Sequence, residues 1–389
     1  MKSNVSKTAV FQALLAALLF GLNAPFAKML LRGLTPVFMA ALLYLGAGLG
    51  MGIVAFVIRY GDRHRNGQPV PEAGLSGKDA VWVVLMIVLD IVAPFLLMLG
   101  LTRTSAATAS LLNNFEMVAT ALIALLFFHE AIGRRVWISL GLITLASMVL
   151  GVDIQSWTDI SFSTGALLVL GACLCWGLEN NCTRNLSDKD PLQIVIIKGF
   201  GSGLGALFIG LIFGMPLLVV AGGAVSPDPS YYISGFSLQA LGQIGGALLL
   251  GFFSYGLSIY FYIHAQRRLG AARTSLYYAA APFIGAAVSF ILLQEHPGVA
   301  FFIGAALMLG GTILVQQEKH RHAHLHAMMV HEHAHNHLDG HHLHSHGEEI
   351  SQSDPAAAHS HQHQHLSLEH SHEHQPDSHH RHTHDSSVK

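Results

Sequence analysis

Two stretches of this chain, Gly33 to Ile58 and Pro229 to Ala265, contain no Asp, Glu, Lys or Arg. A hydrocarbon layer about 30 Å thick takes about 20 residues of helix to cross, and runs of about 18 or more apolar residues read as membrane spans. The pattern recurs along the chain. Charged residues make up only 11% of it and hydrophobic ones 52%, where a soluble domain carries roughly 25% charge. The fold class expected is therefore all-α and integral to the membrane.

Ten spans are predicted, at about 9–31, 36–58, 80–101, 104–128, 135–152, 163–183, 192–221, 237–264, 272–293 and 298–317. Short connections such as "RGLTP", "SDKDP" and "QEHPG" carry turn signals. The Lys and Arg residues set the orientation, because cytoplasmic loops are enriched in them. With a cytosolic N-terminus, 17 of the 21 fall in inside segments and only Arg32 and Arg103 in outside loops. The expected location is the cytoplasmic (inner) membrane, multi-pass, with both termini in the cytosol. The first apolar run is about 20 residues long and more spans follow, which favours an uncleaved first helix over a signal peptide. Cys173, Cys175 and Cys182 share one apolar segment, which does not suggest a disulfide framework. No basic surface for nucleic acid stands out.

The chain also repeats itself. "FGLNAPFAK" (Phe20 to Lys28) in span one aligns with "WGLENNCTR" (Trp176 to Arg184) in span six at an offset of 156 residues. Span four aligns with span nine at an offset of 165, matching Ser110 to Ser275, Leu111 to Leu276 and Glu130 to Glu295. Two halves of five spans must enter the membrane from opposite sides, the inverted repeat typical of secondary transporters. The domains expected are 1–152, 153–318 and a tail at 319–389.

On these residues the sequence resembles the EamA-type transporters of the drug/metabolite superfamily. The resemblance implies a ten-helix bundle of two inverted five-helix repeats around a cavity that alternates between the two sides. One departure stands out. Where the family usually has a proline in span four, as Pro282 stands in span nine, this chain has Glu116 followed by Met117.

Charges at mid-membrane are costly and mark functional candidates. Asp90 lies at the centre of span three and Glu116 at the centre of span four, just after Asn113 and Asn114; Glu179 lies deep in span six and aligns with Asn23. Asn23, Asp90, Asn113, Asn114, Glu116 and Glu179, with Tyr277 and Tyr278 of span nine, are the residues expected to bind substrate. They suit a cation, an ammonium group or a proton; interhelical hydrogen bonding and aromatic packing are the plainer readings. Lys28, Arg184 and Lys198 are expected to snorkel to the interface. Cys175, Glu179 and Cys182 share one helical stripe, a soft-metal or redox arrangement or simple packing. The Gly-rich stretches read as close helix packing, not as a phosphate loop. No nucleophile-base arrangement stands out, so no enzyme is expected.

After Gln317 the composition changes abruptly: 23 of the 27 histidines lie between His320 and His384. His320, His322, His324, His326, His331, His333, His335, His337, His341, His342, His344 and His346 are the candidate ligands for zinc, nickel, cobalt or copper. Without metal such a cytosolic tail is expected to be disordered. No cofactor is required. The partners expected are the bilayer, a small-molecule or cation substrate and, for a homodimer, a second copy of the chain. The function expected is secondary transport of a small solute, in the efflux direction, by alternating access. Export of divalent nickel, cobalt or zinc is the alternative, as is a membrane metal sensor or buffer that moves nothing.

Overall fold

The structure is a computed structural model. It describes residues 7–64, 75–128, 133–156, 159–186, 189–213, 238–269, 271–316, 320–326, 329–335, 359–365 and 368–374. Nine helical stretches among the described residues are long and apolar enough to cross a membrane, and the shorter apolar Val299–Leu314 follows them. They occupy the places predicted for ten spans. The predicted end of span seven, at residues 214–221, lies outside the described residues.

Several spans are not single helices. Span one is α1 (Lys7–Gly21) and α2 (Asn23–Leu30), span two is α3 (Pro36–His64) and span three is α4 (Ala80–Leu101). Span four divides into α5 (Ala106–Leu112) and α6 (Phe115–Phe128), and span five is α7 (Arg134–Gly151). A two-stranded ribbon, β1 (Val152–Ser156) with β2 (Asp159–Phe162), leads into the second half. There follow α8 (Thr164–Thr183) and α9 (Pro191–Ile212) for spans six and seven. Span eight joins α10 (Leu238–Gly251) to α11 (Ser258–Leu269) through a π-helical turn at Phe252–Leu257. Span nine is α12 (Ala271–Tyr278) and α13 (Ala281–Leu293), and span ten is α14 (Val299–Gln316).

The breaks have identifiable chemical causes. Pro25 has no N–H, so it cannot close the helical turn on the Gly21 carbonyl. Pro282 starts α13 in its first turn, where a missing N–H costs nothing. Span four lacks the proline, yet it breaks at Asn113–Asn114. Tighter bonds take over there, from Asn114 N to Leu111 O and from Glu116 N to Asn113 O, each 3.1 Å. Asn side chains compete with helical backbone bonds and favour turns.

Packing follows the inverted repeat. Span one packs on span eight as span three packs on span six, and span one on nine as span four on six. Spans two and seven, four and nine, and five and ten pair with their own counterparts. Exchanging each span for its repeat therefore maps the arrangement onto itself. Small residues make the close approaches, as lipid-surrounded helices require: Gly48 of α3 meets Gly199 of α9, where a Cβ on Gly199 would stand 2.9 Å from the Tyr44 carbonyl oxygen. Hydroxyls add bonds between helices, from Ser258 to Ala16 O at 2.9 Å and Ser254 to Leu19 O at 2.8 Å. Large apolar side chains such as Phe56, Phe127 and Ile291 lie exposed on the outside, the surface that lipid covers.

In the tail, the backbone of 320–326 pairs antiparallel with 368–374, and 329–335 with 359–365. The sequence leads to an unordered chain there. In these four segments the histidines alternate with other residues, the period-two pattern that a strand presents. Their side chains, and His337, His341, His342, His344 and His346 altogether, lie outside the described residues.

Candidate functional site

A cavity of about 540 Å³ lies between the two halves. Its polar lining includes Asn113, Asn114, Glu116, Glu179, Asn180, Thr183, Lys198 and Ser275, and its aromatic walls include Phe20, Tyr44, Trp176, Tyr255, Tyr262 and Tyr278. A neighbouring void of about 170 Å³, lined by Asp190, Tyr260 and His264, shares Val195 and Ile263 with it.

An ion cluster stands on its wall. The Lys198 ammonium lies 3.0 Å from Asp90 Oδ2 and 3.0 Å from Glu179 Oε1. Asp90 also accepts from the Tyr44 hydroxyl at 2.8 Å, and Glu179 accepts from Thr183. Asp90 and Glu179 are both buried. Carboxylates taken out of water need paired charge and hydrogen bonds, and here α3, α4, α8 and α9 supply them together.

Lys198 is thus a correction to the sequence reading. Its side chain does not snorkel to the interface; it sits seven residues, about 10 Å, along α9 from Pro191 and pairs inward. Lys28 stays at the span end, as expected, and is paired there. It hydrogen-bonds the Thr104 carbonyl and lies 3.9 Å from Glu295, which follows α13. The Arg184 side chain lies outside the described residues.

Glu116 opens onto the cavity with a different partner set. Its Oε1 accepts from Asn180 Nδ2 at 2.7 Å, and the same nitrogen lies 3.2 Å from Thr120 Oγ1. Asn23 is buried in the first half and donates to Tyr255 OH at 3.1 Å. The π-helical turn carries Tyr255 and packs its ring 5.3 Å from that of Tyr44. Asn113 Oδ1 and Asn114 Nδ2 are buried without hydrogen-bond partners.

Of the residues expected from sequence, Asn113, Asn114, Glu116, Glu179 and Tyr278 line the cavity. Asp90 stands behind Lys198, and Asn23 lies in a smaller void alongside. Tyr277 is not among the lining residues, because neighbours on a helix point about 100° apart. The stripe of Cys175, Glu179 and Cys182 does not converge on a ligand: Glu179 is tied to Lys198 and Thr183. Among the described residues no group of three or more His, Cys, Asp or Glu could hold a metal ion.

Asp90 to Lys198, Asn180 to Glu116 and Asn23 to Tyr255 are ties between the first half and the second. At the end of the bundle where spans one and nine finish, Glu295 forms a latch. It accepts from the backbone N–H groups of Ala106 at 2.8 Å and Ala107 at 2.9 Å, the start of α5. A carboxylate at a helix N-terminus meets orphan donors and a favourable dipole. This end is tied shut, while the cavity reaches toward the opposite end through Thr183, Tyr262 and Ile263.

Comparison with known proteins agrees with this architecture. The chain is 27% identical over 310 residues to an uncharacterized transporter of Methanothermobacter thermautotrophicus, covering 77% of this chain and 83% of that one. It is 27% identical over 220 residues to a probable terminal-alkyne amino-acid exporter of Streptantibioticus cattleyicolor, covering 56% and 66%. A solved crystal structure shares the fold at a TM-score of 0.51 and 18% identity, over 79% of this chain and 95% of that one. The profile of the EamA-like transporter family matches residues 7–152 and again 163–316. With one match on each five-span half, the chain belongs to the EamA-like transporter family.

Proposed function

We propose that this membrane transporter exports a small organic solute bearing an amino group, by alternating access across the cytoplasmic membrane. The observation that carries the reading is the charge balance in and just behind the cavity wall: among the described residues, Asp90, Glu116 and Glu179 stand against Lys198 alone. Among the described residues Glu116 has an amide as its partner and no cation. A ligand ammonium would supply the missing charge, since a buried carboxylate is costly until paired. Asn114 Nδ2, a buried donor without an acceptor, would take a carboxylate or carbonyl of the same solute. The cavity's 540 Å³ falls within the range of small-molecule sites. The likeness to a probable amino-acid exporter of Streptantibioticus cattleyicolor supports both an amino-bearing solute and the outward direction.

In the orientation that the loop Lys and Arg residues favour, the Glu295 latch closes the outer end and the cavity faces the cytosol, the state that loads solute for export. The cytosolic His-rich tail binds zinc, nickel, cobalt or copper and buffers or senses it beside the carrier. The test is counterflow in proteoliposomes with amino acids, amines, matched solutes lacking the amine, and divalent nickel, cobalt and zinc. Exchange of amino-bearing solutes, lost when the amine is removed, is the expected result. Movement of divalent metal alone would replace this reading with metal export, and no flux of any solute would leave a metal sensor.

A further inference from the structure

Beside the main cavity, a void of about 10 Å³ lies where the breaks of spans one, four and nine meet. Its lining includes Gly21, Asn23, Ser110, Asn113 and Pro282. Roughly 10–15 Å³ is the space of a single water, and a sodium ion stripped of its shell is no larger. Asn23 is 3% exposed and its Oδ1 has no hydrogen-bond partner; Asn113 Oδ1 is likewise buried and unpartnered. Two buried, unpartnered acceptors on residues that line one void are costly as they stand.

Two further oxygens belong to the same place. Pro25 leaves the Gly21 carbonyl without the donor that would close its turn. A Cβ built on Gly285 would stand 2.7 Å from the Gly21 carbonyl oxygen and 2.7 Å from Ser110 Oγ. Both atoms therefore pack against the Gly285 backbone and lie close to one another, and Gly21 and Ser110 are both lining residues of the void. Ser110 spends its proton on Ala106 O at 2.8 Å, so its lone pairs remain for another partner.

We propose that this void binds one sodium-sized monovalent cation through Asn23 Oδ1, Asn113 Oδ1, the Gly21 carbonyl and Ser110 Oγ. Neutral hard oxygens suit an alkali cation; a magnesium or calcium site would draw on carboxylates, and a zinc or nickel site on imidazole or thiolate. Unwound backbone at broken helices holds coupling ions in other transporters with inverted repeats. The excess of carboxylate in the neighbouring cavity favours positive charge here. Asn113 lines both spaces, so the ion would fix the wall of the solute site. The ion site goes beyond the proposed transport and is tested without it.

The experiment measures thermal unfolding of the purified full-length protein, with no solute, in graded sodium chloride balanced by choline chloride. Potassium chloride serves as the size control, and binding of radioactive sodium as the second readout. The expected result is a saturable rise in melting temperature with sodium, smaller with potassium and absent with choline. Asn113→Ala and Ser110→Ala should each weaken apparent sodium affinity by about tenfold or more, whereas Asn23→Asp, which adds a charge, should strengthen it. Ser110→Ala removes one hydroxyl and is the variant expected to fold without difficulty. Identical melting in all three salts would show that the void holds water only and would overturn the proposal. So would a sodium effect that all three substitutions leave unchanged. Either outcome leaves solute transport to be judged by counterflow alone.

Discussion

Lys198→Met removes the ammonium that holds two buried carboxylates while keeping most of the apolar stem. Its nitrogen stands 3.0 Å from each carboxylate, with the side chains of Asp90 and Glu179 only 0% and 3% exposed. Unit charges about 3 Å apart attract by roughly 5 kcal/mol at an effective dielectric of about 20, and desolvation of all three groups offsets much of that. Loss of one member of a buried pair costs about 3–5 kcal/mol, because the remaining charge is stranded. With two carboxylates stranded here, the upper part of that range is expected. The assay is thermal unfolding of detergent-solubilised protein followed with a thiol-reactive fluorescent dye, since Cys173 is buried in the folded bundle. The double variant Lys198→Met/Asp90→Asn should be destabilised by less than the sum of its parts, with a coupling of about 1 kcal/mol or more. Lys198→Met within about 1 kcal/mol of the parent, or strictly additive substitutions, would refute the ion cluster and return Lys198 to the interface.

Three further predictions follow from the same geometry. Glu295→Gln weakens two charge-assisted bonds to the start of α5 and should cost about 1–3 kcal/mol; a cysteine introduced beside Asn23 should then become more reactive from the outer face. Gly199→Leu drives a side chain into Gly48 and the Tyr44 carbonyl, and should lower stability by about 1–3 kcal/mol or more, measured by the same dye. Truncation after Gln317 should abolish high-capacity nickel and zinc binding in equilibrium dialysis while leaving counterflow at the full-length rate; undiminished metal binding would place the metal site in the bundle.

Much of the architecture is legible in the sequence because lipid imposes it. Uncharged stretches such as Gly33 to Ile58 have no other stable form than a span, and the paired "FGLNAPFAK" and "WGLENNCTR" elements carry the inverted repeat that the packing then obeys. Asp90, Glu116 and Glu179 could be found from cost alone, since a charge at that depth must do something. The partners of those charges could not. Lys198 reads as a residue near a span end, and only the packing of α9 against α3 and α4, with Glu179 of α8 within reach, turns it inward; its distance of about 10 Å from the helix start was the available signal. Tyr44 and Tyr255 read as ordinary apolar-span aromatics until the π-helical turn and the α3 crossing bring their hydroxyls to Asp90 and Asn23. Tyr277 and Tyr278 are indistinguishable in sequence, and the rotation of α12 selects Tyr278. The missing proline of span four suggested a local departure, yet Asn113 and Asn114 break the helix by a different chemistry at the same level.

Glu116 tests the central claim most directly, because it lines the cavity at the seam between the halves and is held by an amide. Glu116→Gln keeps an oxygen to accept from Asn180 and so keeps the fold, while removing the charge that would pair with the solute ammonium. Counterflow of an amino-bearing solute through proteoliposomes should fall to the level of empty vesicles in this variant, with its melting temperature close to that of the parent. Normal flux through Glu116→Gln would contradict the account and make that carboxylate a packing group.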